Sequence, residues 1–275
     1  MNPLRTGAMV LAYKQEEYVA YCLRALAPCV ENVVVLQSDV PFVAYNREAR
    51  EQFTAKDGTR EILRELECEL TNVTVVDGVW DSEPEARNAG LRHLRSLDMQ
   101  VCLIVDADEV YPAGTLSRLR EAIEAADSPG SVFYARYVTC YKRFDYVVRS
   151  DHRLAVAVHL NEHTTFDRRP RRPLGPRRDL PPDVYFWHLG YVLSDERMWE
   201  KINTFGHASE IVPGWFERKW LGWSPDTRDL FRKHPEDRWP YTIRIDPSTL
   251  PEILHSHPYF PRERRSPTNG LMGER

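Results

Sequence analysis

The 275-residue sequence contains few cysteines, and none of them stand at metal-binding spacing. Its five cysteines, an odd number without a C-x-x-C pattern, are Cys22, Cys29, Cys68, Cys102 and Cys140. This usage argues against a structural zinc site and against a disulfide framework. Because unpaired thiols persist in a reducing compartment, we expect a cytoplasmic protein.

Long apolar runs and an excess of positive charge are also missing. No segment approaches the ~18 consecutive apolar residues of a transmembrane helix, and the first residues carry no signal-peptide pattern. The 37 basic and 41 acidic residues leave a net charge of −4. We therefore expect no transmembrane segment and no nucleic-acid partner.

The charges and tryptophans that are present are unevenly distributed. Residues 1–150 carry 17 basic and 23 acidic residues, whereas residues 151–275 carry 20 and 18. Six of the seven tryptophans lie at or beyond Trp187. A chain of this length holds one or two domains of about 150 residues each. The asymmetry predicts two regions with different tasks.

Apolar runs alternate with helical periodicity along the first part of the chain. The runs predict strands over residues 7–13, 32–36, 73–76 and 101–105, and the periodic segments predict helices over 16–27, 59–70, 82–97 and 115–126. Such alternation predicts an α/β fold with a mostly parallel sheet covered by helices on both faces. In these sheets the ligand crevice lies beyond the carboxyl ends of the strands.

The pattern changes after residue 131. Strands are predicted over 132–141, 154–160 and 185–189, and a helix over 195–209. Residues 168–178 contain six arginines and three prolines, which exclude a stable helix or a central strand. We interpret this segment as a solvated loop, with a lid over a bound anion as the second interpretation.

Two aspartates follow the fourth predicted strand. Asp106 and Asp108 stand two residues apart, so their side chains point the same way at the strand end. Adjacent carboxylates repel each other unless a cation or a proton lies between them. A hard divalent ion such as Mg²⁺ or Mn²⁺ would meet this need and would bind phosphate oxygens as well. The other interpretation is a solvated turn, in which Asp is common.

Arg87 lies early in the helix predicted over residues 82–97. It is either a surface arginine in an i, i+4 ion pair or a bidentate donor that reaches over the crevice towards a diphosphate. Spacing along the chain leaves both interpretations open.

Four segments of the first half share a pattern with a known family. They read AYKQEE at 12–17, VVVLQSD at 33–39, ARNAG at 86–90 and LIVDADE at 103–109. Together they resemble the family 2-like glycosyltransferases of the GT-A fold, and VHLNEH at 158–163 and WHLGY at 187–191 with Lys201 downstream continue the resemblance. The resemblance implies a Rossmann-like sheet sandwiched by helices and a mixed or irregular acceptor-side extension.

The resemblance also implies roles for individual residues. Those expected to bind the nucleotide are Ala12, Tyr13, Ser38, Asp39, Arg87, Asp106 and Ala107. Those expected to hold Mn²⁺ or Mg²⁺ are Asp106, Asp108 and His188. The second strand ends in Leu-Gln-Ser-Asp rather than in the usual acidic pair followed by Ser or Thr, which puts the base contact of Asp39 in question.

Sugar transfer requires a base that deprotonates the acceptor, commonly a carboxylate or an imidazole. We expect this base to be Glu162, with Asp151 and His163 as the next candidates. We expect one continuous domain, in which residues 1–130 bind the nucleotide sugar and residues 131–275 form the acceptor side.

The tryptophans of the second half have two interpretations. Trp215, Trp220, Trp223 and Trp239 could stack on sugars, but tryptophan more often packs in a core, which we favour for most of them. We interpret His255 and His257 as structural, because two histidines beside a proline are a weak metal signal.

The sequence thus predicts a metal-dependent glycosyltransferase with a nucleotide-sugar donor, expected to be UDP-linked, and an acceptor that it does not specify. One alternative is a phosphohydrolase, because Asp106–Val110 fits D-x-D-x-[TV], but three predicted strands precede the motif instead of none. A sugar nucleotidyltransferase would need a glycine-rich loop, and Met9–Glu16 contains no glycine. The other alternative is an inactive carbohydrate- or nucleotide-binding scaffold.

Overall fold

A computed structural model describes residues 4–42, 53, 57–126, 128–167, 171–204, 208–230 and 239–261. Within these residues the α-helices are α1 (Val19–Leu26), α2 (Thr59–Glu69), α3 (Glu83–Ser96), α4 (Thr115–Ala126) and α5 (Asp195–Thr204). The strands are β1 (Thr6–Ala12), β2 (Asn32–Gln37), β3 (Val73–Asp77), β4 (Val101–Asp106), β5 (Glu109–Val110), β6 (Val132–Tyr141), β7 (Arg143–Val148), β8 (Arg153–His159), β9 (Arg177–Asp179), β10 (Tyr185–His188) and β11 (Thr242–Arg244). None of these helices has the length and apolarity needed to cross a membrane.

The described strands join in one sheet whose main order is β11-β7-β6-β8-β4-β1-β2-β3. The first-half strands β4, β1, β2 and β3 are parallel to one another. The second half is mixed, because β8 runs antiparallel to both β4 and β6, whereas β10 runs parallel to β6. The predicted α/β fold, a parallel first half followed by a mixed extension, is confirmed.

Alternate residues of the central strands pack on opposite faces of the sheet. Val33 and Val35 contribute to a core shared with α1, α2 and α4, whereas Val34 and Leu36 contribute to a core shared with α3. Both faces are buried because β-branched and aliphatic residues run without interruption along the strand. Helices on both faces leave only the strand ends available for polar side chains.

Helix α3 lies close against β1 and β2. Ser82 caps its first turn by accepting a hydrogen bond from the Glu85 backbone N–H, as the capping-box pattern predicts. A Cβ at Gly90 would lie 3.0 Å from Leu36 Cδ1 and 3.2 Å from Met9 Cβ, so glycine permits this close packing. The result holds Arg87, one turn earlier, against the end of β4.

The direction of β8 decides which end of this strand reaches the crevice. Its register pairs Leu103 with Ala157 and Val101 with His159, so β8 starts at the carboxyl end of β4 and finishes at the amino end. The backbone N–H of Leu160 accordingly donates to the Gln100 carbonyl at 2.8 Å. Residues before β8 therefore lie at the crevice, and residues after it lie at the opposite edge.

The tryptophans of the second half form a core of their own. Trp215, Trp220 and Trp239 are each at most 1 % exposed and pack with Tyr141 and Tyr191. His257 is also buried, where its Nε2 lies 2.9 Å from the Glu17 carbonyl oxygen and its ring stacks on Tyr18. The favoured interpretations, packing for the tryptophans and a structural role for His257, agree with this arrangement.

Candidate active site

A cavity of about 840 Å³ opens where β1, β2 and β4 end. Of the residues singled out in the sequence, Ala12, Tyr13, Ser38, Asp106, Ala107, Asp108, Asp151 and His188 line it. Asp39, Arg87 and Glu162 are not part of its lining. The sheet therefore gathers most of the predicted site, and it leaves these three residues and the alternative base His163 outside the cavity surface.

Asp39 is engaged by neighbouring side chains at the end of β2. Arg60 Nη2 donates to Asp39 Oδ2 at 2.8 Å, and Gln37 Nε2 donates to Oδ1 at 2.8 Å. Arg60 also pairs with Asp77 at the end of β3. These contacts give Asp39 a role in joining the two strand ends, while Ser38 and Tyr13 face the cavity.

Both carboxylate oxygens of Asp106 accept hydrogen bonds from arginines. Arg87 Nη2 donates to Oδ1 at 2.6 Å, and Arg171 Nη1 donates to Oδ2 at 2.7 Å. Burial acts to raise the pKa of Asp106, but the charges of Arg171 and Arg87 outweigh it and hold the pKa well below its ordinary value. Asp106 is thus an anion that the protein itself neutralises.

Arg87 is fully buried and supports Asp106 from behind the cavity surface. Its Nε also donates to Glu83 at 2.8 Å, an i, i+4 contact within α3. One of the two sequence interpretations, the i, i+4 pair, is therefore present, but in a buried setting rather than on the surface. The structure does not bring Arg87 to the lining, where a diphosphate contact would require it.

Arg171 is a site residue that sequence reasoning missed. Its guanidinium donates to Asp106, to both carboxylate oxygens of Glu109, and to the backbone carbonyls of Ile104 and Ala155. Burial raises the pKa of Glu109 to about 8, with Arg171 acting in the opposite direction. Arg171 contradicts the solvated-loop interpretation at its own position, whereas residues 168–170 lie outside the described residues.

Asp108 meets a lysine and a histidine at the cavity floor. Lys201 Nζ lies 2.8 Å from Asp108 Oδ2, and His188 Nε2 lies 3.7 Å from the same oxygen. Burial acts to raise the pKa of Asp108, but Lys201 and His188 outweigh it, and the net pKa is below its ordinary value. A Cβ at Gly190 would overlap Asp108 Oδ2 and Lys201 Nζ, so this cluster requires glycine there.

The strand pairing of β10 explains why His188 reaches Asp108. His188 lies opposite Glu109 on β5 and opposite Thr139 on β6. Its Nδ1 lies 3.1 Å from Thr139 Oγ1, which fixes the ring orientation. We call Asp106, Asp108, His188 and Lys201 the carboxylate wall of the cavity.

Helix α5, which carries Lys201, is fastened to the loop after β1. Arg197 donates to Glu17, to Asp57 and to the Lys14 carbonyl, and Lys14 pairs with Glu200. Glu16, Glu17 and Asp57 converge closely enough to hold a cation, but Arg197 already neutralises two of them. We assign no metal to that cluster.

The two carboxylates proposed as the base lie at opposite edges of the sheet. Asp151 precedes β8 and lines the cavity, whereas Glu162 follows β8, which is roughly 23 Å long at about 3.3 Å per residue. The Glu162 side chain is 84 % exposed, and its Oε1 lies 3.3 Å from His163 Nε2. The structure brings Asp151 to the cavity and leaves Glu162 and His163 outside its lining.

Three further arginines that line the cavity come from separate segments. Arg153 belongs to β8, Arg172 follows the buried Arg171, and Arg177 begins β9. We call Arg153, Arg172 and Arg177 the arginine wall.

Part of the sequence matches a known protein family. The model of the family described as Glycosyl transferase family 2 matches residues 54–187, just under half of the chain. Residues 54–187 are therefore similar to family 2 glycosyltransferases. The predicted resemblance and the predicted enzyme class are thereby confirmed, and the matched region includes Arg87, Asp106 and Asp108. No curated protein matches the sequence.

Solved structures similar to this chain have low sequence identity to it. S. aureus TarS is 14 % identical over 79 % of this chain, with a TM-score of 0.44, and this chain covers 43 % of the TarS chain. TarS 1–349 in complex with UDP-GlcNAc is 16 % identical over 80 % of this chain and 74 % of its own, with a TM-score of 0.45. Mannosyltransferase PcManGT from Pyrobaculum calidifontis, in complex with GDP-Man and Mn²⁺, is 18 % identical over 74 % of this chain and 63 % of its own, with a TM-score of 0.44.

Proposed function

We propose that this glycosyltransferase moves a sugar from a nucleotide-sugar donor to an acceptor, with a divalent metal ion at the carboxylate wall. The observation that carries the proposal is the cluster at the cavity floor, where Lys201 and His188 approach one oxygen of the buried Asp108 at 2.8 and 3.7 Å. A departing nucleoside diphosphate needs cations at this position because negative charge develops on it. Tyr13 and Ser38, on the adjoining strand ends, would contact the nucleoside.

Asp108 and His188 fit a divalent ion. One carboxylate and one imidazole leave the other coordination positions to phosphate and water oxygens, which is how nucleotide-bound Mg²⁺ and Mn²⁺ are commonly held. The absence of a side chain at Gly190 leaves that space to Asp108 Oδ2 and Lys201 Nζ. The ion would offset the charge of the leaving diphosphate. Lys201 Nζ is the cation nearest to Asp108 in this structure, so ion binding requires this ammonium to move aside.

Asp151 is the best-supported general base. It lines the cavity, and it makes no ion pair with another described residue. In the proposed step, the acceptor hydroxyl gives its proton to the Asp151 carboxylate and its oxygen bonds to the anomeric carbon. The bond from that carbon to the diphosphate oxygen breaks, and its electron pair leaves with the nucleoside diphosphate. Proton transfer by a positioned carboxylate contributes about 10²–10⁴-fold to rates of this kind.

Calorimetric titration of UDP with Mn²⁺ tests the proposal. We expect Asp108→Asn and His188→Ala each to weaken binding about tenfold or more, because each removes a metal ligand. Asp179→Asn is the matched control, since Asp179 is exposed on β9 and pairs only with Arg177 among the described residues. Thermal unfolding checks that each variant remains folded.

Three outcomes would contradict the proposal. If wild type and Asp108→Asn bound UDP with equal affinity, with and without metal, Asp108 would not be a metal ligand. A wild-type protein that binds no nucleoside diphosphate would be an inactive scaffold. Release of phosphate from a monoester, without sugar transfer, would identify a phosphohydrolase. UDP is the first nucleotide to test and cytoplasm the expected location, and both remain predictions.

A further inference from the structure

The arginine wall differs from the remainder of the cavity in the partners of its side chains. Arg172 is exposed and makes no hydrogen bond or ion pair with another described residue. Arg153 donates through Nη1 to the backbone carbonyls of Leu180, at 2.7 Å, and Tyr134, at 3.4 Å. Within the described residues neither guanidinium meets a carboxylate, although both line the cavity.

The register of the sheet increases the positive charge behind this wall. Arg153 on β8 is paired directly with Arg136 on β6, so the two arginines share one face of the sheet. Like charges that lie directly opposite each other in an antiparallel pair destabilise it. Arg136 Nε is buried and has no hydrogen-bond partner among the described residues. An anion bound beside these residues would offset this repulsion.

Arg177 adds an oriented guanidinium to the same side. Its guanidinium carbon lies 4.3 Å from the centroid of the Tyr134 ring, and its Nη2 pairs with Asp179 Oδ1 at 2.8 Å. Stacking on Tyr134 fixes the plane of the guanidinium. Its Nε and Nη2 already donate to Asp179, which leaves Nη1 as the nitrogen that can donate to a bound anion. Asp151 is the carboxylate of this region that would face the acceptor hydroxyl.

Of the two tryptophans that line the cavity, Trp239 is 1 % exposed and Trp80, which precedes α3, is partly exposed. Neither belongs to the arginine wall, so a sugar bound there would be recognised through charged groups rather than through stacking on tryptophan. The arginine wall is not required for the leaving diphosphate, because Lys201 already provides a cation at the carboxylate wall.

We propose that the acceptor is an anion, a sugar or glycan bearing a phosphate or carboxylate group, and that Arg153, Arg172 and Arg177 bind this group. The inference rests on the proposed function, since it assigns the acceptor class of the same cavity. The anionic group binds the arginine wall, and the hydroxyl to be glycosylated lies towards Asp151.

Paired probes under saturating UDP and Mn²⁺ test this inference. Glucose 6-phosphate and glucuronic acid are compared with glucose by calorimetry, and inorganic phosphate is added to separate recognition of a free anion from recognition of a charged sugar. We expect both charged sugars to bind about tenfold more tightly than glucose. The charged sugar that binds more tightly shows whether the natural acceptor carries a phosphate group or a carboxylate group.

Variants then locate the preference. Arg153→Gln/Arg172→Gln should lose the tenfold advantage of the charged sugars without altering UDP binding. Arg178→Gln is the control, because Arg178 is an exposed arginine next to Arg177 in β9 that does not line the cavity. Arg153→Lys/Arg172→Lys keeps the charge and should restore part of the preference, which guards against a loss caused by misfolding.

Equal affinity for glucose and glucose 6-phosphate would overturn the inference, and so would a charge preference that persists in the double glutamine variant. Binding of inorganic phosphate alone, without preference among the sugars, would also overturn it. UDP binding is measured first in the same titrations. If UDP does not bind, the proposed function fails separately, and the probe titrations without nucleotide still decide whether the arginine wall selects anions.

Discussion

The two walls of the cavity neutralise their charges in different ways. Every carboxylate of the carboxylate wall meets a cation of the same chain: Asp106 meets Arg87 and Arg171, and Asp108 meets Lys201. In the arginine wall, Arg153 and Arg172 meet no carboxylate among the described residues.

This difference separates what the fold needs from what a ligand must bring. A buried charge without a partner is costly, so the cations around Asp106 form part of the folded state whether or not a nucleotide is bound. Partly exposed arginines remain hydrated until an anion arrives, and they contribute little to stability. The carboxylate wall is therefore organised in advance, whereas Arg153 and Arg172 of the arginine wall acquire their counter-charge from the ligand.

The largest expected effect contrasts two adjacent arginines. Arg171→Met should lower the free energy of unfolding by about 3 kcal/mol, because it leaves the buried Glu109 and the partly buried Asp106 without their shared cation. Arg172→Met should change it by less than about 0.5 kcal/mol, as is usual for an exposed side chain. Urea unfolding followed by tryptophan fluorescence measures both values.

Equal destabilisation by the two substitutions would show that Arg171 and Arg172 contribute alike to stability, and the contrast between the two walls would be wrong. Arg171→Lys sharpens it, because a lysine keeps the charge but loses the forked contacts to Glu109 and to the Ile104 and Ala155 carbonyls. We expect an intermediate loss of stability for this variant.

A smaller effect, on turnover, contrasts the two ends of β8. Asp151→Asn should lower kcat about 100-fold and leave the KM for the donor within about twofold, since the base acts on the acceptor. Glu162→Gln should change kcat by less than about twofold, because Glu162 lies at the other edge of the sheet. Steady-state kinetics with a nucleotide sugar and an identified acceptor provide the measurement. A larger loss in Glu162→Gln would reverse the assignment of the base.

The smallest expected effect concerns the cation beside Asp108. Lys201→Met should tighten Mn²⁺ binding about tenfold in the absence of nucleotide, because the ammonium no longer competes for the carboxylate oxygen. The electron paramagnetic resonance signal of free Mn²⁺ reports the affinity. Lys142→Met is the control, since Lys142 makes a comparable 2.8 Å pair with Asp195 away from the cavity. Unchanged or weaker binding in Lys201→Met would show that the lysine and the metal do not exclude each other.

The fold was largely predictable because its determinants are local. Uninterrupted β-branched runs and the capping pattern at Ser82 specify strands and helices without reference to distant residues. The position of Asp106 and Asp108 followed from the same pattern, because a polar pair after a buried strand must emerge at the edge of the sheet.

The remainder of the site depended on contacts between distant segments. Asp151 and Glu162 are both carboxylates beside the strand predicted over residues 154–160, one before it and one after it. Only the antiparallel direction of β8 shows which of them lies at the cavity. Nothing local distinguishes Arg171 from the other five arginines of residues 168–178, because its burial results from the pairing with Glu109 and Asp106. The position of Arg87 was only partly predictable for the same reason. Helical spacing places it near the site, but it does not reveal that Arg87 is buried behind Asp106.

The anchoring of Arg171 also limits how far its neighbours can travel. Residues 172–176 are tied at one end by the buried guanidinium of Arg171 and at the other by the pairing of Arg177 with Val132. Midway, Gly175 lies so close to the Gly130 carbonyl that a Cβ would overlap it. A five-residue tether held at both ends and pinned between them cannot swing open as a hinged flap. Arg172 therefore samples the cavity through rotation of its own side chain, on the timescale of rotamer exchange rather than of loop opening.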